Sequence, residues 1–266
     1  MRKIDIDELK KLQINILDEV HSCCMRHNIN YWLDSGTLLG AIRHNGYIPW
    51  DDDIDIGMLR PEYEKFRKVF NQENDRYKFV CVEDDNDYCY AFGKVLDTET
   101  ILYEPDLQGK KIAVNVDIII YDNAPDDDKE VAKMYRKRNF YRGCNIARSQ
   151  KNDTIPGIKR RIAFKILNIV LRPFPKNYFA LKMSQNAQKY KDVDTKRVGS
   201  FTCYAVFACE KDIFDSFTDH IFEGKDYKIP IGYERWLKTI YGDYMQLPPV
   251  HKRVSTHVFE AYMLEK

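Results

Sequence analysis

The sequence predicts an α/β protein, α+β in the arrangement of its elements, with a mixed sheet flanked by helices and a basic helical insertion. Three observations predict it. Apolar residues at helical spacing open the chain, a strand-like stretch then turns through small residues into a helix, and a long β-branched run follows. The 266 residues include 44% hydrophobic and 13% aromatic side chains, enough for a large core. No Pro/Gly/Ser-rich linker or repeat divides them, so one elaborated domain over residues 1–266 is expected. Residues 130–230 read as a mostly helical insertion or a second lobe.

Leu9, Leu12, Ile16, Val20 and Cys23 or Cys24 recur at spacings of three and four, the stripe of an amphipathic helix over roughly residues 7–27 that packs on a sheet. Asp5, three places before Glu8, fits a capping box. Ile29 to Leu33 reads as a short strand, Asp34-Ser35-Gly36-Thr37 as a turn and Leu38 to Ile42 as a helix. Such a junction presents backbone N–H groups to an anion, or is simply a tight turn.

Asp51, Asp52, Asp53 and Asp55 then crowd together. Like charges at this density repel and resist burial unless a cation joins them, and magnesium is the expected one. In an extended strand Asp53 and Asp55 share one face while Ile54 and Ile56 share the other. Two carboxylates converge and two isoleucines anchor the strand. A bare aspartate run reads equally as a solvated acidic loop; the isoleucine alternation and the preceding Pro49-Trp50 favour a metal site.

Tyr90 to Asp97 alternates in part and puts Lys94 on a strand or its end, where it holds a phosphate or is solvated. Ile112 to Ile120 is a buried central strand in pattern, with Asp117 as its odd member. A lone carboxylate there costs on the order of several kcal/mol unless paired, neutralised or bound to metal. Asp117 is thus a third metal ligand beside Asp53 and Asp55, or the partner of Lys94 or Arg43. The run Asp126-Asp127-Asp128 lacks apolar alternation and reads as a loop and helix start.

Charge is uneven along the chain. Residues 1–130 carry 28 acids against 16 bases, whereas residues 133–176 carry 13 bases and one acid, Asp153. That basic segment fits a surface helix on anionic lipid, a cradle for an anionic polymer, or an insertion that balances the acidic half. No nucleic-acid module supports nucleic-acid binding, and none is expected. The 7 cysteines include no CxxC pair, so idle buried thiols are expected rather than zinc ligation or disulfides. Apolar runs too short to span a bilayer and a start without a signal-peptide pattern place the protein in the cytoplasm, with the inner face of the cell membrane as a site of peripheral contact.

The string from Leu33 to Ile56, LDSGTLLGAIRHNGYIPWDDDIDI, closely resembles the signature of the LicD family. Lys94-Val95 with Asp97 and Thr100, Val116-Asp117-Ile118, Tyr241-Gly242-Asp243-Tyr244-Met245, Leu247-Pro248-Pro249, Arg253 and His257 follow in the same order. The likeness covers residues 8–125 and 235–257. It implies a nucleotidyltransferase-like fold, shared in outline with fukutin and fukutin-related protein. It also implies magnesium or manganese as cofactor and transfer of a phospho-alcohol group, phosphocholine or a similar one, from a CDP-linked donor to a hydroxyl of a cell-surface glycan, free or lipid-linked. Gly36-Thr37, Asp53 with Asp55, and Asp117 fill the family's catalytic and metal places. Val250-His251 departs from the pattern, where an acid is expected after the proline pair.

On this resemblance Gly36 and Thr37 bring donors to the phosphates, and Arg43 and Lys94 contact them. His44 is a substrate contact or a structural residue. Trp50 stacks on a base, faces a quaternary ammonium or belongs to the core. Asp243 and His257 sit on a site wall, and Asp51 and Asp52 support the metal ligands. The alternatives are a nucleotidyltransferase acting on a sugar or small alcohol, and a catalytically silent glycan- or membrane-binding protein.

Overall fold

A computed structural model of the chain describes residues 1–103, 111–149, 157–203, 208–255 and 260–265. Helix α1 (Ile6–Arg26) matches the apolar stripe, and Leu9, Leu12, Ile16, Val20, Cys23 and Cys24 are all buried. The Asp5 side chain accepts the Glu8 N–H at 2.9 Å, one half of a capping box. Glu8 itself turns to Arg2, so the other half is not made.

Among the described residues a seven-stranded sheet forms the centre. It contains β2 (Trp32–Leu33), β3 (Asp55–Leu59), β4 (Tyr77–Val80), β5 (Gly93–Asp97), β8 (Asn115–Ala124), β9 (Arg197–Gly199) and β10 (Ala208–Glu210). β8 organises it. One edge of β8 runs parallel to β3, with Asp55 opposite Asp117. Its other edge takes β5 along residues 115–118 and β9 along residues 122–124, both antiparallel. A second sheet joins β1 (Arg2–Ile4), β13 (Glu260–Met263), β6 (Thr100–Tyr103) and β7 (Lys111–Ile112), and β11 (Phe217–Phe222) pairs with β12 (Lys225–Pro230) as a hairpin.

Three sequence expectations shift. The strand expected over 29–33 is regular only at Trp32–Leu33, although Ile29 and Tyr31 are buried. β3 begins at Asp55, so Asp53 lies in the segment that leads into it. The run 112–120 breaks at Ala113-Val114 into β7 and β8, and β8 continues to Ala124.

Helix α1 packs against β5 and β8. Helix α2 (Ser35–His44) follows β2, and α3 (Arg60–Glu73) follows β3. At the start of α3 the buried Arg60 donates twice to buried Asp122 of β8, at 2.8 and 2.9 Å, which pins helix to strand. Gly57 of β3 makes room for Trp32, since a Cβ there would meet the indole at 2.3 Å.

Residues 130–230 first form three helices, α4 (Asp128–Ser149), α5 (Ile158–Leu171) and α6 (Tyr178–Ala187). They then return to the central sheet as β9 and β10 and continue into the β11–β12 hairpin. The aspartate run at 126–128 is a loop and helix start as expected, with the Asp127 side chain accepting the Lys129 N–H at 2.8 Å. Helix α7 (Tyr233–Tyr241) follows the hairpin. All seven cysteines are buried, and none of them is in a disulfide. No helix among the described residues is long and apolar enough to cross a membrane.

Candidate active site

Parallel pairing of β3 and β8 sets Asp55 and Asp117 side by side at the ends of their strands. Ile54 and Ile56 are buried at 1% and 0% exposure, so the alternation read from the sequence holds and turns Asp53 to the same side as Asp55. Asp53, Asp55 and Asp117 line one cavity of about 260 Å³. Ser35 at the start of α2, Tyr121 of β8, Ser200, Cys203 and the α7 residues Trp236 and Ile240 complete much of its wall.

The electrostatics of this cavity call for positive charge. Burial, followed by the negative charges of Asp53, Asp117 and Asp34, holds the Asp55 carboxyl well above the ordinary carboxylate range, and Lys94 offsets this in part. Lys94 is itself buried. It donates to Asp117 at 2.5 Å and to Asn115 at 3.0 Å, under the rings of Tyr90 and Phe92. The lysine expected at a phosphate therefore meets the strand carboxylate, the pairing that the sequence left open.

The Asp51, Asp52 and Asp53 carboxylates also each offer an oxygen within 4.8 Å of the others. Asp52 is buried and accepts the Ser255 hydroxyl at 2.8 Å, while its carbonyl accepts from Gln13 at 3.0 Å. Asp51 lies against α2: a Cβ on Gly36 would meet its Oδ2 at 2.7 Å, so glycine lets the carboxylate close on the helix start. Thr37 is buried, and its Oγ1 accepts the Asp55 N–H at 2.9 Å, tying α2 to the first residue of β3.

Sequence reasoning missed what supports the helix start. Asp34 is the N-cap residue of α2 but makes no side-chain cap. Its buried carboxylate instead accepts the Tyr121 hydroxyl at 2.5 Å and the Trp236 indole N–H at 2.8 Å. Burial raises its pKa, and these donors pull it back. Ser35 follows with φ +48°, a left-handed conformation that a non-glycine residue adopts at a cost of roughly 1–3 kcal/mol. The clue in the sequence was an acid just before a small-residue turn; its partners lie too far along the chain to be read from spacing.

Arg43, His44 and Trp50 are not among the cavity-lining residues and contact one another instead. Arg43 donates to the Tyr244 carbonyl at 2.9 Å and to His44 at 3.0 Å, so its fork anchors the stretch after α7. Burial and the adjacent Arg43 charge lower the pKa of His44. His44 meets Trp50 edge to face at 6.5 Å, and the Arg253 guanidinium stands 5.8 Å from the Trp50 ring. Asp243 is exposed and is not among the cavity-lining residues, whereas Trp236 and Ile240 of the neighbouring helix are. Tyr241, although 40% exposed, has its pKa raised by desolvation and by the charges of Asp55, Asp34, Asp51 and Asp53. His257 lies outside the described residues.

Cys23, His27 and Glu73 also bring potential ligand atoms within 4.8 Å. Burial pushes the Cys23 thiol up to about 11, so it is protonated at neutral pH, and Glu73 is already bound by Arg26 and His27. That chemistry suits a structural cluster.

The sequence pattern of the LicD/FKTN/FKRP nucleotidyltransferase domain matches residues 28–142, the span that contains β2, α2, β3, β8 and the three cavity aspartates. Along 99% of this chain and 100% of the relative, 32% of residues are identical to the lipopolysaccharide cholinephosphotransferase LicD of Haemophilus influenzae. The chain belongs to the LicD family. This LicD-family chain also shares 57% identity over 30 residues with the human ribitol 5-phosphate transferase FKRP, a match covering 11% of this chain and 6% of the relative. A protein of Rickettsia typhi is 40% identical over 73 residues, 27% of this chain and 24% of its own length. The expectation of a LicD-type phosphotransferase with a mixed α/β fold is met.

Proposed function

We propose that this LicD-family protein moves a phospho-alcohol group, phosphocholine or a close analogue, from a CDP-linked donor to a hydroxyl of a cell-surface glycan and releases CMP. The observation that carries the reading is the convergence of Asp53, Asp55 and Asp117, from β3 with its lead-in and from the parallel β8, on one cavity at the start of α2. The Haemophilus lipopolysaccharide cholinephosphotransferase and the human ribitol 5-phosphate transferase support transfer of a phospho-alcohol group, and the first supports a glycan acceptor.

The raised Asp55 carboxyl and the carboxylate crowding beside it fit a divalent cation, Mg²⁺ or Mn²⁺, held by Asp53 and Asp55 with Asp117 as the third member. When bound, the ion supplies charge neutralisation and alignment at the donor phosphates. The protein's own groups do the rest. Lys94 pairs with Asp117 and holds its carboxylate in place, where it can take or steer the proton of the acceptor hydroxyl. Thr37 fixes the position of Asp55. Trp236 and Ile240 shield one wall from water, and the cluster of Trp50 with Arg253 and His44 offers an aromatic face and a cation for the rest of the donor.

The test is incubation with Mg²⁺ and a panel of CDP-alcohols, with and without glycan acceptors. CMP release that needs the metal supports the reading. Pyrophosphate release from a nucleoside triphosphate would assign the rival nucleotidyltransferase reaction, and neither product under any condition would leave a binding protein.

A further inference from the structure

Helix α5 has two apolar faces. Phe164, Leu167 and Leu171 turn inward to Cys144, Ala147 and Phe179, and Asn168 donates to the Ala147 carbonyl at 2.7 Å. This face fixes the helix on α4 and α6. On the other side Ile158, Ile162, Ile166, Ile169 and Val170 are each more than half exposed. At about 100° per residue the four isoleucines share an arc of about 80°, opposite the packed face. An ordinary surface helix would carry polar residues there.

The borders of this stripe are basic. Lys159 lies beside it, and Arg161, Lys165 and Arg172 fall along one flank. Residues 157–176 contain no aspartate or glutamate. Phe174, 38% exposed, extends the apolar pattern beyond the helix, and Lys176 after it pairs with Asp87 at 2.7 Å. Fourteen residues are too few to span a bilayer, and the charges forbid it. They suit a helix that lies in the headgroup layer, its isoleucines in the acyl boundary and its bases among anionic headgroups.

We propose that the outer face of α5 is a docking surface for an anionic lipid bilayer. A second copy of the chain is a poorer occupant, because apposing two such faces sets bases against bases across helices that carry no acid of their own. The surface is independent of the catalytic reading.

Cosedimentation with phosphatidylethanolamine/phosphatidylglycerol vesicles, against phosphatidylcholine vesicles alone, tests it. The wild type should pellet with the anionic vesicles at low salt and come off as salt rises. The combined variant Lys159→Glu, Lys165→Glu, Arg172→Glu should bind on the order of a hundredfold more weakly. Ile162→Ser with Ile166→Ser and Ile169→Ser should lose about tenfold or more, at unchanged helical circular dichroism. CMP release with a water-soluble acceptor should be the same in all three proteins, so failure of docking and failure of the proposed reaction are read separately. The proposal is overturned by a wild type that does not pellet at low salt, or by an isoleucine variant that binds like the wild type. It is also overturned by a dimer in solution that the isoleucine variant dissolves while no protein binds vesicles.

Discussion

Around the cavity, buried and half-buried charges meet specific partners: Asp34 accepts from Tyr121 and Trp236, half-buried Asp117 faces Lys94, and Asp122 faces Arg60. Along α5, Lys159, Lys165 and Arg172 lie exposed on a helix without an acid. The difference lies in what each charge must do to exist there. A buried carboxylate is tolerable only where geometry supplies a donor or cation, so its placement is specific to the ångström. An exposed base needs no partner, and what counts is the density of charge on a face.

The contrast predicts graded consequences. Asp53→Asn or Asp55→Asn should leave a folded protein whose CMP release falls about 10³-fold or more, measured with a CDP-alcohol and Mg²⁺. Activity near the wild-type level in either variant would remove the metal assignment. Chelation should silence the wild type in the same assay, with Mg²⁺ or Mn²⁺ restoring it.

Next in size is Lys94→Met, which strands Asp117 without its cation and should cost about 3 kcal/mol in urea unfolding. Adding Asp117→Asn should recover most of that loss. If the double variant is as unstable as the single one, the lysine acts through packing under Tyr90 and Phe92 rather than through charge. Trp236→Phe removes one donor from Asp34 and should cost about 1–3 kcal/mol. At the small end, Lys165→Glu on α5 should change stability by no more than about 0.5 kcal/mol, because the side chain is exposed. A larger loss would mean that α5 relies on its bases for folding, and the contrast between the two regions would narrow.

The parts of this architecture that repeat at short range were legible in the sequence. The stripe of α1, the alternation around Ile54 and Ile56, and the β-branched run of β8 each encode their own burial. The convergence of Asp53, Asp55 and Asp117 was also readable, because each acid interrupts an apolar strand pattern. What escaped depends on distant partners. Nothing near Asp34 announces Trp236, nothing near Arg43 announces the Tyr244 carbonyl, and the break at Ala113-Val114 arises because Thr100 of β6 takes the Val114 N–H at 2.9 Å. The exposed isoleucines of α5 were hidden for a different reason. Composition gives their number, but only packing of the opposite face shows which way they point.

The parallel register between β3 and β8 also bears on how the chain folds. Asp55 and Asp117 meet only after α3, the β4–β5 pair and the intervening segment have been looped out, and no local contact can bring them together sooner. Pairings of this kind are slow to form, because the entropy of closing the loop is lost before the contacts reward it. Substitutions at the β3–β8 seam, such as Ile118→Val, should therefore slow refolding in stopped-flow measurements. An equally mild cut in the α4–α5–α6 cluster should act chiefly on the unfolding limb.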